Sequence, residues 1–396
     1  MPVRTPKVRI NPELLVWARE TAGLQRSHIA RACSTSENAV AAWEEGSDSP
    51  TFRQLEDLAR KASRPLSALF LPDPPPEPPL PEDFRVRPSR EPGVFEAGTL
   101  AAFREARFLA AQTAELLDTL NSQLSMRLPG FSTEDDPETL GSEFRIRSSI
   151  SVEDQLNWKS KYAALDAWRS MLFDLGVLVF QFPISSIDAR GFSIEEPNVG
   201  VVGVSNKRED PVARCFSILH EVCHLCLSKP GVSAGESIFL RRLTRPEERL
   251  EGFCNRFAAA FLLPLHDSHV GHDLERTFDK LRGCKKSEVI EVARRYKVSK
   301  YVLLFRAREA GRLPSDLCWS ICAEWKEDDK RTPPGKGPKR RASVRTRVSE
   351  RGKRFVSLVF EALDAERISL HDAMDYLSLH PKDFEKARES AVRGRL

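Results

Sequence analysis

Cys215-Phe216-Ser217-Ile218-Leu219-His220-Glu221-Val222-Cys223-His224-Leu225-Cys226-Leu227 is an apolar run with two histidines four residues apart and a glutamate beside the first. An uninterrupted run of this length with no Gly or Pro reads as a core helix. On a helix, positions i and i+4 share one face, so His220 and His224 can present both imidazoles to one metal ion. Glu221 projects next to that face, where a carboxylate can act as a general base. The plain alternative is a chance string on a buried helix.

Two histidines leave a metal site incomplete, because a catalytic zinc takes three protein ligands and keeps a fourth position open. The best third ligand lies 27 residues after His224, in Glu248-Arg249-Leu250-Glu251-Gly252-Phe253-Cys254-Asn255-Arg256-Phe257 and the following Ala/Phe/Leu run up to Pro264. Leu250, Phe253, Phe257 and Phe261 make an apolar stripe at helical spacing, and Pro264 stops the helix. Glu251 and Asn255 share a neighbouring face, which makes Glu251 the third ligand and Asn255 the residue that fixes a ligand from behind. Glu247 and Glu248 are rivals, better placed to favour the helix N-terminus. His266, His269 and His272 form a separate candidate cluster, against the commoner reading of polar loop histidines. Cys215, Cys223, Cys226 and Cys254 crowd the same two helices. Small buried hydrophobes are their ordinary role, and a redox-sensitive or soft-metal role is the alternative.

Strands come before the motif. Gly176–Phe182, Gly191–Ile194 and Val199–Asn206 are short, apolar or Gly-punctuated runs, and a small sheet against helices gives an α+β, mostly helical class. The Gly-spaced strand through Val201, Val202, Gly203 and Val204 is the expected edge on which an extended substrate would add.

At this point the pattern resembles a known family. His-Glu-x-x-His after Arg214-Cys215-Phe216-Ser217, then Glu251-x-x-Cys254-Asn255-x-Phe257-Ala258-Ala259 and Leu262-Leu263-Pro264, is similar to the ImmA/IrrE metallopeptidases, closely over about 171–265. Glu288–Leu304 and Ala310-Gly311-Arg312 resemble that family's helical extension. The resemblance implies a zincin-like fold, His220, His224 and Glu251 as zinc ligands (manganese is the alternative metal) and Glu221 as general base. It also implies action on one protein partner, a repressor or regulator. No residue matches a family oxyanion stabiliser.

Residues 11–71 read as five short helices: Asn11 caps the first, Gly23 ends it, Gln25–Ala32 is the second and Ser36–Glu45 the third, with Gly46 as stop. Pro50-Thr51 opens a fourth carrying Phe52, Leu55, Leu58 and Ala59, and Leu66, Leu69 and Phe70 lie on a fifth. Trp43-Glu44-x-Gly46 and Pro50-Thr51 make this order similar to the lambda-repressor-like (XRE) helix-turn-helix domain. Gln25, Ser36 and Asn38 are the DNA-contact candidates that the resemblance implies. The third helix has no Lys or Arg, however, and the segment holds seven basic against eight acidic side chains. Phosphate neutralisation carries most of DNA affinity, so a docking or dimerisation module is the competing reading. A long subgroup that fuses this domain to the peptidase often accompanies a PIN-like nuclease toxin, which adds an antitoxin reading.

The chain has 396 residues and a net charge of +4. Residues 331–354 alone carry +9, leaving −5 for the rest, so one basic stretch rather than a general polyanion binder is implied. The expected borders are 1–72 for the helix-turn-helix domain, 73–98 for a Pro-rich linker, 99–275 for the peptidase domain and 276–326 for its extension. A basic linker at 327–345 and a small helical domain at 346–396, for partner binding or homo-oligomerisation, complete the chain. With no apolar leader and no membrane-length window, a cytoplasmic protein with eight thiols is expected.

Overall fold

The structure, a computed structural model, describes residues 6–83, 94–184, 188–207, 210–233, 245–278, 283–331 and 343–392. The chain is mostly helical α+β and divides into two compact units, Met1–Leu80 with Gly93–Glu105, and Pro81–Pro92 with Ala106–Leu396.

The first unit contains α1 (Pro12–Thr21), α2 (Arg26–Ala32), α3 (Glu37–Glu44), α4 (Phe52–Lys61) and a 3-10 turn at Leu66–Phe70. Each start is chemically marked. Asn11 accepts from Glu13 N, Ser36 from Ala39 N and Thr51 from Gln54 N, which satisfies donors that a helix N-terminus leaves open. Leu14, Leu15, Ile29, Val40, Trp43, Leu55, Leu58 and Leu69 fill the core. Phe52 and Phe70 were grouped with that stripe but are 48% and 51% exposed, because they sit at a helix start and at the end of the 3-10 turn.

The second unit opens with β1 (Glu82–Asp83), and α5 (Ala97–Thr119) crosses the division between the units. Then come α6 (Pro137–Arg147), α7 (Val152–Asn157), α8 (Lys161–Asp174), β2 (Val177–Phe182), β3 (Gly191–Glu196), β4 (Val199–Ser205), α9 (Pro211–Cys226), β5 (Gly231–Ser233) and α10 (Pro246–Leu262). Helices α7 and α8 are separate elements. Ser160 starts the second by accepting from Ala163 N.

The sheet order is β1-β5-β3-β4-β2, with β2 parallel to β4 and β3 antiparallel to both β4 and β5. This corrects the substrate-edge expectation. Val201–Val204 pair with Leu178–Gln181 on one side and with Gly191–Ile194 on the other, so β4 is interior. Its glycines serve packing: a Cβ at Gly203 would lie 2.2 Å from the Phe192 ring, and one at Gly200 would lie 2.8 Å from Leu225.

Helices α11 (Ser268–Thr277), α12 (Lys286–Tyr296), α13 (Lys300–Glu309) and α14 (Ser315–Arg331) follow. Helix α14 runs into the stretch read as a basic linker, and 332–342 lie outside the described residues. Buried Arg306 of α13 joins three elements, pairing with Glu138 of α6 through both carboxylate oxygens (2.6 and 2.7 Å), with Glu309 (2.6 Å), and with the Leu263 carbonyl (2.8 Å). The chain ends in α15 (Val344–Arg351), α16 (Lys353–Asp364), α17 (Leu370–Leu377) and α18 (Phe384–Val392). Arg169 of α8 donates to the Ser349 carbonyl at the end of α15 and to Val179 O of β2, and Phe355 meets Phe180 edge-on at 5.5 Å. These contacts place the C-terminal helices on the β2 side of the sheet.

Candidate metal centre

Helix α9 is the expected apolar helix. Asp210 caps it, Pro211 occupies its first turn, and every residue from Cys215 to Cys226 is buried, as a helix wedged between a sheet and other helices requires. Helix α10 begins at Pro246, where the Arg245 backbone N–H donates to Glu248 Oε2 at 3.0 Å, which places Glu248 at the helix start, and Glu247 beside it is exposed. Its Leu250, Phe253, Phe257 and Phe261 stripe packs into the core, and Glu251 is brought to the histidines of α9.

The three donor groups form a small triangle. His220 Nε2 and His224 Nε2 are 3.2 Å apart. The Glu251 carboxylate places one oxygen 3.2 Å from His224 Nε2 and the other 3.5 Å from His220 Nε2. Two nitrogens bound to one zinc at 2.0–2.1 Å with tetrahedral angles are about 3.3 Å apart. The observed edges match that spacing, so the donor set fits a tetrahedral metal. Asn255 Oδ1 lies 2.9 Å from His220 Nδ1. With Nδ1–H donating to Asn255, Nε2 is the nitrogen that carries a lone pair into the triangle.

The site is enclosed, with Glu221 1% exposed and His224 and Glu251 fully buried. Burial would raise the Glu251 carboxyl, but the His220 and His224 imidazoles outweigh it and hold it down at about 2. Burial alone would lower His224, yet Cys254 and Glu251 raise it well above the ordinary histidine range. Glu221 moves upward, driven by burial and only partly offset by His224 and His220. Ser193 of β3 donates to Glu221 Oε2 at 3.2 Å, and Ser233 of β5 sits 3.3 Å from His224 Nε2. Gly191 is required here: a Cβ on it would lie 2.9 Å from Glu221 Oε1.

His220, Glu221, His224, Glu251 and Asn255 are therefore brought together as expected. His266, His269 and His272 are exposed on and before α11, and among the described residues no metal-holding group includes them. All eight cysteines are free thiols. In the first unit Gln25, Ser36 and Asn38 are exposed, with Ser36 engaged as the α3 cap. Ser193, Ser233 and Gly191 were missed by sequence reasoning. Only a correct strand pairing puts them over α9, and no local pattern marks them.

Residues 173–308 match the family model described as IrrE N-terminal-like domain, Peptidase_M78. No curated protein matches the chain. Among solved structures, a Mycobacterium tuberculosis transcriptional regulator is similar at 18% identity and a TM-score of 0.25. The match covers 43% of this chain and spans about half of that regulator (51%). Among the described residues no helix is long and apolar enough to cross a membrane.

Proposed function

We propose that the chain is a regulatory metal-dependent endopeptidase of the ImmA/IrrE type that cuts one specific protein partner, with zinc as the metal and manganese as the alternative. The observation that carries this is the triangle of His220, His224 and Glu251 with a second buried carboxylate, Glu221, beside it. The three donors would hold the ion, which when bound supplies Lewis acidity to a peptide carbonyl and acidifies water. Glu221 would take the proton from water and hand it to the leaving amine. Ser193 holds that carboxylate in orientation. A mere scaffold needs the donor triangle but gains nothing from a second buried acid, whose desolvation is costly. Like β4, β5 is interior, lying between β1 and β3, and it contributes Ser233 next to His224 rather than a free edge for a substrate backbone.

The test is Glu221→Gln, which removes the base and leaves the donors. Metal content and fold should be kept while the cellular effect of the protein is lost. An unchanged phenotype would count against catalysis.

The enclosure of the site favours a second reading, an antitoxin that binds and silences a PIN-like toxin without cutting it. In either case the first unit would act as a repressor-like helix-turn-helix module, with Gln25, Ser36 and Asn38 facing DNA. Its acidic balance, and the pairing of Arg26 with Glu44 at 2.7 Å, leave little positive charge for phosphates.

A further inference from the structure

We propose that Cys254 is a fourth donor to the metal, which closes the resting site and keeps the peptidase latent until the sulfur leaves the metal. This rests on the reading of the site as a metal centre and adds how that site is regulated. Cys254 stands one helical turn after Glu251 on α10 and is fully buried. The donor atoms of His220, His224 and Cys254 all lie within 4.8 Å of one another. Zinc bonds of 2.3 Å to sulfur and 2.0–2.1 Å to nitrogen separate the two donors by about 3.6 Å in a tetrahedron, so a bound metal would need to draw the thiol in from within that 4.8 Å limit of the two histidines. Thiolate is a strong donor to zinc, and as the sulfur–metal bond forms the thiol proton is released to solvent.

Four protein ligands make a closed site, whereas three leave room for water. The surroundings agree with closure. The lack of a side chain at Gly191 of β3 leaves room for the Glu221 carboxylate, where a Cβ would come within 2.9 Å of Oε1, and none of the four donor residues is more than 5% exposed.

The experiment is zinc X-ray absorption on the full chain loaded with one equivalent of zinc, in wild type, Cys254→Ala, Cys254→Ser and Cys223→Ala. Expected is one sulfur scatterer at about 2.3 Å beside nitrogen and oxygen at about 2.0–2.1 Å. It should be present in wild type and Cys223→Ala and gone from both Cys254 variants. Cobalt substitution should follow the same pattern, with a thiolate-to-cobalt charge-transfer band in the near ultraviolet that only the Cys254 changes abolish. Wild type that binds zinc through nitrogen and oxygen alone overturns the inference and leaves the peptidase reading standing. Wild type that binds no zinc overturns both. The wild-type spectrum decides even if a Cys254 variant fails to fold.

Discussion

Replacing Asn255 tests how the site orients its first histidine. Asn255 Oδ1 receives the only hydrogen bond described at His220 Nδ1, at 2.9 Å, and the residue is 7% exposed. A neutral hydrogen bond contributes about 0.5–1.5 kcal/mol net and one to a charged partner about 1.5–3 kcal/mol. A metal-bound imidazole carries partial positive charge, so the upper range applies. That corresponds to roughly 10- to 100-fold in metal affinity, the range found when partners behind ligating histidines are removed. Helix propensity moves the other way, since Ala is favoured over Asn by about half a kcal/mol in a helix interior, so the fold itself should hold. Asn255→Ala should therefore keep its circular dichroism and lose about 10- to 100-fold in zinc affinity, read by competition with a calibrated chromophoric chelator. Asn255→Asp should bind at least as tightly as wild type, because a carboxylate raises the basicity of the ring. An Asn255→Ala affinity within threefold of wild type would refute the assignment of Nδ1 as donor and Nε2 as ligand.

Other outcomes follow from the same geometry. Gly191→Ala forces a methyl to 2.9 Å from Glu221 Oε1, so metal binding should persist while turnover of a trapped partner falls by about 10²-fold, the scale of an ångström misplacement. Arg306→Met should destabilise the second unit by about 3–5 kcal/mol, seen as an earlier urea midpoint, because Glu138, Glu309 and the Leu263 carbonyl lose a buried partner. Adding zinc at about 100 times its dissociation constant should stabilise the protein by about 2.7 kcal/mol in a thermal melt, and Glu251→Gln should lose most of that gain. The full chain should shift its own promoter weakly and in a strongly salt-dependent way if the first unit touches DNA; no shift at low salt ends that reading.

What the sequence disclosed and what it hid follow from the range of the interactions. Helices α9 and α10 were legible because their signals are local: an unbroken apolar run in one, an apolar stripe stopped by Pro264 in the other, and donors at fixed offsets. Helix α6 was overlooked although Asp136-Pro137 is a cap and a first-turn proline. Its Gly141 has meaning only beside α10, where a Cβ would lie 2.6 Å from Phe257 O. Strand order is non-local, so glycines that looked like an exposed edge in β4 instead make room for Phe192 and Leu225. Cys254 read as a small apolar filler, since its nearness to both histidines depends on how two helices cross.

The most direct measurement is a tagged pull-down from the native host, wild type beside Glu221→Gln, with intact-mass analysis of what co-purifies. The account predicts a partner held intact by the Glu221→Gln protein and recovered as two fragments with wild type. The same uncut partner on both would contradict it and make this chain a binding protein on a peptidase-like fold.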